Sequence, residues 1–190
     1  NISSLSCSTL NTPLACTGQN HSYKKKIFYE VGGFSKISSL LQGDDTIFLN
    51  LCRKYKTIKV TCSIDKDSHV ISKMIFKWKD FFKQRIRWSG DANIMWKYNK
   101  SFYFIIVMTF LANSFFLFMP IIFYQYLYLF LILLSIKFFL EFLLYYFGSK
   151  KLSQGIDYLN FIKWFFIQIP YVLLMGILSF YATKFEWKGR

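Results

Sequence analysis

The chain has 190 residues, 54% of them hydrophobic and 23 of them Phe, with a formal net charge of +14. It is too apolar for an ordinary soluble domain and too charged for a pure membrane bundle. Residues 1–100 carry 17 Lys and Arg against 7 Asp and Glu, and residues 101–190 carry 7 against 3, so a basic half of mixed composition precedes an apolar half. With an apolar half adjacent, that basic balance points to anionic lipid headgroups and phosphate-bearing substrates, not nucleic acid.

The chain opens on Asn1. The segment "NISSLSCSTLNTPLAC" has neither the charged start nor the long apolar run of a signal peptide, so a fragment whose start lies upstream is expected. The four cysteines, Cys7, Cys16, Cys52 and Cys62, form no C-x-x-C pair. Free cytosolic thiols are expected, and no zinc site. His21 and His69 are isolated and read as surface residues.

In chain order, "CTGQNHSYKKKIFYEVGGF" (16–34) suggests a tight loop at Gly18 and Asn20. A short basic helix follows, ended by the Gly32-Gly33 turn. "GDDTIFLNLCRKYK" (43–56) reads as a helix, acidic at its start and basic at its end as the helix dipole favours. Ile47, Phe48, Leu51, Cys52 and Tyr55 fall at helical spacing. "TIKVTCSI" (57–64) alternates like a strand, so the first half reads as mixed helix and strand. Asp65-Lys66-Asp67 is a D-x-D without supporting ligands and reads as a solvated loop. Residues 73–98 read as an amphipathic, Trp-, Phe- and Lys-bearing segment suited to a membrane surface.

From Phe102 to Phe147 there are 46 residues with only two charges. One crossing needs roughly 20 residues, so two spans are expected, near 102–120 and 124–146, with Pro120 marking the break. A third apolar stretch, 158–183, is interrupted by Lys163 and Pro170. It reads as a span, or as an interfacial helix followed by a shorter one. The basic flanks place the first half and the 148–155 loop in the cytoplasm. A full third span would then export the tail "KFEWKGR", which is also basic. Lys137 and Glu141 stand four apart on one face of the second span, as a functional pair or as an inward-facing or snorkelling couple.

Three clusters can carry chemistry. Gln84, Arg87 and Trp88 share a helical face at i, i+3 and i+4. Arg offers a fork for phosphate oxygens, Trp a flat wall for a ring, and Gln a donor and an acceptor. An interfacial anchor would use the same residues. Asp44 and Asp45 can supply a general base, or Asp44 can cap a helix with Asp45 in its first turn. Gly18 and Asn20 present polar groups on a loop.

These motifs occur in one order: G-x-N with a following E-V-G-G-F, then G-D-D, then Q-x-x-R-W, then apolar helices. The combination resembles the C-terminal half of membrane-bound family 2 glycosyltransferases, the group of cellulose, chitin and hyaluronan synthases, over about residues 14–147. The tail "FEWKGR" is similar to endings in bacterial members. The resemblance implies an α/β fold: the C-terminal portion of a GT-A nucleotide-sugar transferase domain over 1–72, interfacial helices over 73–100, and a transmembrane bundle over 101–190. It implies Asp45 as general base. Asp44, Gln84, Arg87, Trp88, Gly18 and Asn20 would contact substrate, and Arg85 is an extra cation of open role. It further implies a nucleotide-sugar donor, a glycan or lipid acceptor, and Mg²⁺ or Mn²⁺ held mainly by residues upstream of this chain. The expected location is the cytoplasmic membrane, multi-pass, with the catalytic part in the cytoplasm. The fragment would be inactive alone, because the nucleotide-binding half should precede residue 1. The alternative is a non-enzymatic polytopic membrane protein, such as a transporter or assembly subunit, with a basic surface domain.

Overall fold

In a computed structural model of the chain, residues 13–16, 18–38, 45–55, 58–68, 70 and 75–184 are described. Cys7, Asp44, His69 and the tail 185–190 lie outside the described residues. Among the described residues six α-helices follow in order: α1 (Lys25–Glu30), α2 (Thr46–Arg53), α3 (Trp78–Tyr98), α4 (Lys100–Ile122), α5 (Leu127–Lys151) and α6 (Tyr158–Leu178).

The α/β expectation is overturned, because no strand occurs among the described residues. Residues 58–64, whose alternation suggested a strand, are irregular. Alternation gives a segment two faces, but a strand also needs a neighbour to exchange backbone hydrogen bonds. No described segment supplies that neighbour.

The α1 helix ends as its glycines dictate. Gly33 N–H donates to Phe28 O at 2.8 Å and Gly32 N–H to Tyr29 O at 3.0 Å, the paired bonds of a Schellman turn. Both glycines have positive φ, 87° and 58°, which side chains with a Cβ disfavour. The turn folds α1 back onto α2, where Val31, Ile37, Ile47, Phe48, Leu51 and Cys52 form a buried core. His21 is half-buried beside Tyr23 and Phe48, with ring centroids 5.4 and 6.2 Å away, so it is not the surface residue expected.

Residues 78–98 form one unbroken helix, α3. Three helical stretches, Lys100–Ile122, Tyr124–Lys151 and Tyr158–Ala182, are long and apolar enough to cross a membrane. Pro120 lies within the last turn of α4, and the helix ends two residues after it. Pro170 does not divide α6, which is continuous from Tyr158 to Leu178. Of the two readings of that stretch, a single long helix is the one observed.

The end of α6 returns to α3. Ile86 of α3 packs with Met175 and Ala182, and Ser179 Oγ, which donates to Gly176 O at 2.6 Å, lies 3.3 Å from Asn93 Oδ1. Because α4 also departs from the end of α3, the chain at Ser179–Ala182 lies beside the helix from which α4 starts.

Candidate functional site

The site begins with Asp45, the N-cap of α2. Its Oδ1 accepts from Thr46 N–H, and its Oδ2 accepts from Gly18 N–H at 3.2 Å. The dull alternative gave the cap to Asp44; the residue that caps is Asp45. A carboxylate has about four lone-pair sites, so two remain open on this half-buried side chain.

The Gly18 bond is the outermost of a series. Leu14 O accepts from Asn50 Nδ2 at 3.3 Å. Thr46 Oγ1 donates to Cys16 O at 2.9 Å and accepts from Cys16 N–H at 3.3 Å. Residues 14, 16 and 18 thus meet α2 at every second position, as in an extended segment whose alternate residues face one way. That spacing fixes Gly18 against Asp45. Asn20, two residues on, turns elsewhere: its Nδ2 donates to Ser68 O at 2.6 Å. It ties the loop to the turn that carries the D-x-D.

Gln84, Arg87 and Trp88 lie on α3, as their spacing implied. Gln84 and Arg87 are half-buried, and Trp88 is exposed. Their helical face carries the relevant geometry. At about 100° per residue, Gln84, Arg87 and Trp88 share a side of α3 with Asp91, Ile94, Met95 and Tyr98. Ile94 and Tyr98 pack against the α2 core, and Asn50 Nδ2 lies 4.0 Å from Met95 Sδ. Ile86 and Asn93 occupy the opposite side, against the end of α6. So the motif projects on the side where α2 sits, about 10–17 Å along the axis from the α2 contact.

Arg85 stacks between two rings, with its guanidinium 5.0 Å from the Phe81 centroid and 4.6 Å from that of Trp88. It therefore covers one face of the Trp88 ring.

Three residues escaped the sequence reading. Asn50 and Asn99 are buried, at 1% and 6% exposure, and are joined side chain to side chain at 2.8 Å. Asp91 is half-buried on the motif face, one turn past Arg87. The one available signal was Asn50, a polar residue within the otherwise apolar run from Ile47 to Cys52.

Among the described residues no group of three or more His, Cys, Asp or Glu side chains is arranged to hold a metal ion. The described residues therefore offer no ligand set of their own for the divalent cation that the resemblance implies.

The chain matches the family model for glycosyl transferase family group 2 over residues 2–181. It belongs to that family. No curated protein and no solved structure matches it. Membership supports glycosyl transfer, with a nucleotide-sugar donor and an acceptor as substrates, and argues against a transporter or assembly subunit. The three apolar helices are compatible with membrane association.

Proposed function

We propose that the chain is part of a membrane-embedded, inverting glycosyltransferase acting at the cytoplasmic face, with a nucleotide-diphosphate sugar as donor and a glycan or lipid as acceptor. Asp45 takes the proton from the acceptor hydroxyl. The oxygen attacks the anomeric carbon, and the sugar–phosphate bond breaks with its electron pair leaving on the diphosphate. Arg87 counters the charge that develops on the diphosphate. Gln84 and Trp88 hold the acceptor sugar, and Gly18 keeps the Asp45 carboxylate aimed. Asp44 and Asn20 contact substrate, as the resemblance implies.

The observation that carries this reading is the shared face of α3. The side bearing Gln84, Arg87 and Trp88 is the side whose Met95 reaches Asn50 of the Asp45 helix. The test is Asp45→Asn in the full-length protein, assayed against a nucleotide-sugar panel. Transfer should fall at least about 100-fold with membrane insertion intact. Retained transfer would remove Asp45 as base.

A further inference from the structure

The geometry points to Asn50 and Asn99 as positioning residues that hold Asp45 in register with the first apolar helix. This rests on Asp45 being the base.

Asn99 sits at the junction of α3 and α4. Its Oδ1 accepts from Phe102 N–H at 3.0 Å, capping α4. Its Nδ2 donates to Asn50 Oδ1 at 2.8 Å. Asn50 Nδ2 donates to Thr46 O at 2.8 Å and to Leu14 O at 3.3 Å. Thr46 grips Cys16, and Gly18 N–H holds Asp45 Oδ2. A continuous chain of polar contacts therefore runs from the start of α4 to the carboxylate.

The amide orientation of Asn50 makes the chain directional. Its oxygen faces α4 and its nitrogen faces the 14–18 segment. Turning the amide over would set its oxygen against the carbonyls of Leu14 and Thr46 and lose both bonds. Both asparagines are buried, so no water replaces a lost partner. A ring of apolar contacts could glue α2 to α3, but it would not set the height of α2 along the axis. Directed hydrogen bonds do. Reaction rates respond steeply to that height, since about 1 Å of misplacement can cost about 100-fold.

The test uses Asn99→Asp and Asn99→Ser in the full-length protein, with Asp45→Asn and Asn50→Ala as companions. Both substitutions at 99 keep an oxygen to cap α4; Asp carries no donor for Asn50, and the Ser hydroxyl sits one atom short of the Asn99 amide nitrogen that reaches Asn50. Rates are expressed per folded, monodisperse molecule in detergent, so a loss of folded protein does not pass for a loss of rate. The expected result is a kcat at least about 10-fold lower, with the KM for the nucleotide sugar within about twofold. Asn50→Ala alone should lower kcat at least as far, and adding either Asn99 substitution to it should lower kcat no further, because Asn99 acts only through Asn50. An unchanged kcat per folded molecule, a loss confined to KM, or multiplying effects would overturn the proposal. The two readings fail separately. Activity retained by Asp45→Asn sinks the base, and the positioning role with it. Activity abolished by Asp45→Asn but kept by both Asn99 variants sinks only the positioning role.

Discussion

Asn99 Nδ2 donates to Asn50 Oδ1 at 2.8 Å, joining two buried side chains 49 residues apart in the chain. Asn50→Leu keeps the branching and number of side-chain heavy atoms but leaves the Leu14 carbonyl and the Asn99 amide without that partner. The expected cost is about 2–3 kcal/mol. A thermal melt in detergent should show a clear drop in midpoint, and hydrogen exchange should quicken at the backbone amides of Cys16 and Gly18. Unchanged protection there would mean that the segment is held by other contacts.

Gly176 of α6 receives the ring of Phe110 of α4, so close that any Cβ at 176 would collide with it. Gly176→Val should therefore force α4 and α6 apart, at about 1–3 kcal/mol. Phe110→Ala in the same chain should recover part of the loss by clearing the space. The check is a pair of thermal midpoints, and failure of the second substitution to help would show that the strain lies elsewhere.

Lys137 Nζ lies 2.7 Å from Glu141 Oε1, and Gln168 Nε2 of α6 donates to the other carboxylate oxygen. The ammonium also rests 4.5 Å from the ring centroid of Phe165 and 5.8 Å from that of Phe116. One charge pair thus touches α4, α5 and α6. Lys137→Met alone should cost about 3 kcal/mol, because it leaves the Glu141 carboxylate without its counter-charge. The double variant Lys137→Met/Glu141→Gln should be less damaging than the single one, since it leaves no isolated charge. Equal losses in the two would argue against a coupled pair.

The cysteines differ in environment. Cys62 is exposed, and Cys52 is buried in the α2 core. Burial pushes the Cys52 thiol above its ordinary range. Below an unfolded thiol pKa of about 8.5 both states are protonated, and the packed thiol contributes in full. As pH rises past that value the unfolded chain ionises first, so stability falls with pH. At pH 7.5 a maleimide should modify Cys62 readily and spare Cys52 until denaturant is added. Rapid native labelling at Cys52 would contradict its burial.

The return of α6 to α3 has a consequence for sidedness. Trp96 on α3 and Phe180 just past α6 are both exposed. Single cysteines placed at these positions should react with an impermeant reagent from the same side of sealed vesicles. Labelling from opposite sides would mean that Ser179 and Asn93 do not meet in the membrane.

The apolar helices were legible because their composition suffices: each run is too long and too free of charge to be anything but a buried or lipid-facing helix. The α2 helix was legible from its period, and the Gly32-Gly33 stop from the backbone freedom of glycine. The 57–64 strand was misread because alternation describes one segment, whereas a strand is a relation between two. The place of Asp45 was half legible. Two acids before an apolar run announce a helix start, but which of them caps it depends on where Gly18 comes to rest.

By itself the sequence determined which residue types stand at which spacing: the common face of Gln84, Arg87 and Trp88, the acids ahead of α2, and the apolar helices that follow. Spacing within one helix is a local property and survives without tertiary context. Only the tertiary structure decided that Gly18 meets Asp45, that Asn50 meets Asn99, and that the end of α6 comes back to α3. Each joins segments far apart in the chain, and nothing in local propensity encodes such a distance. Packing chooses these pairs, because a buried amide or carboxylate must find a partner when water is excluded.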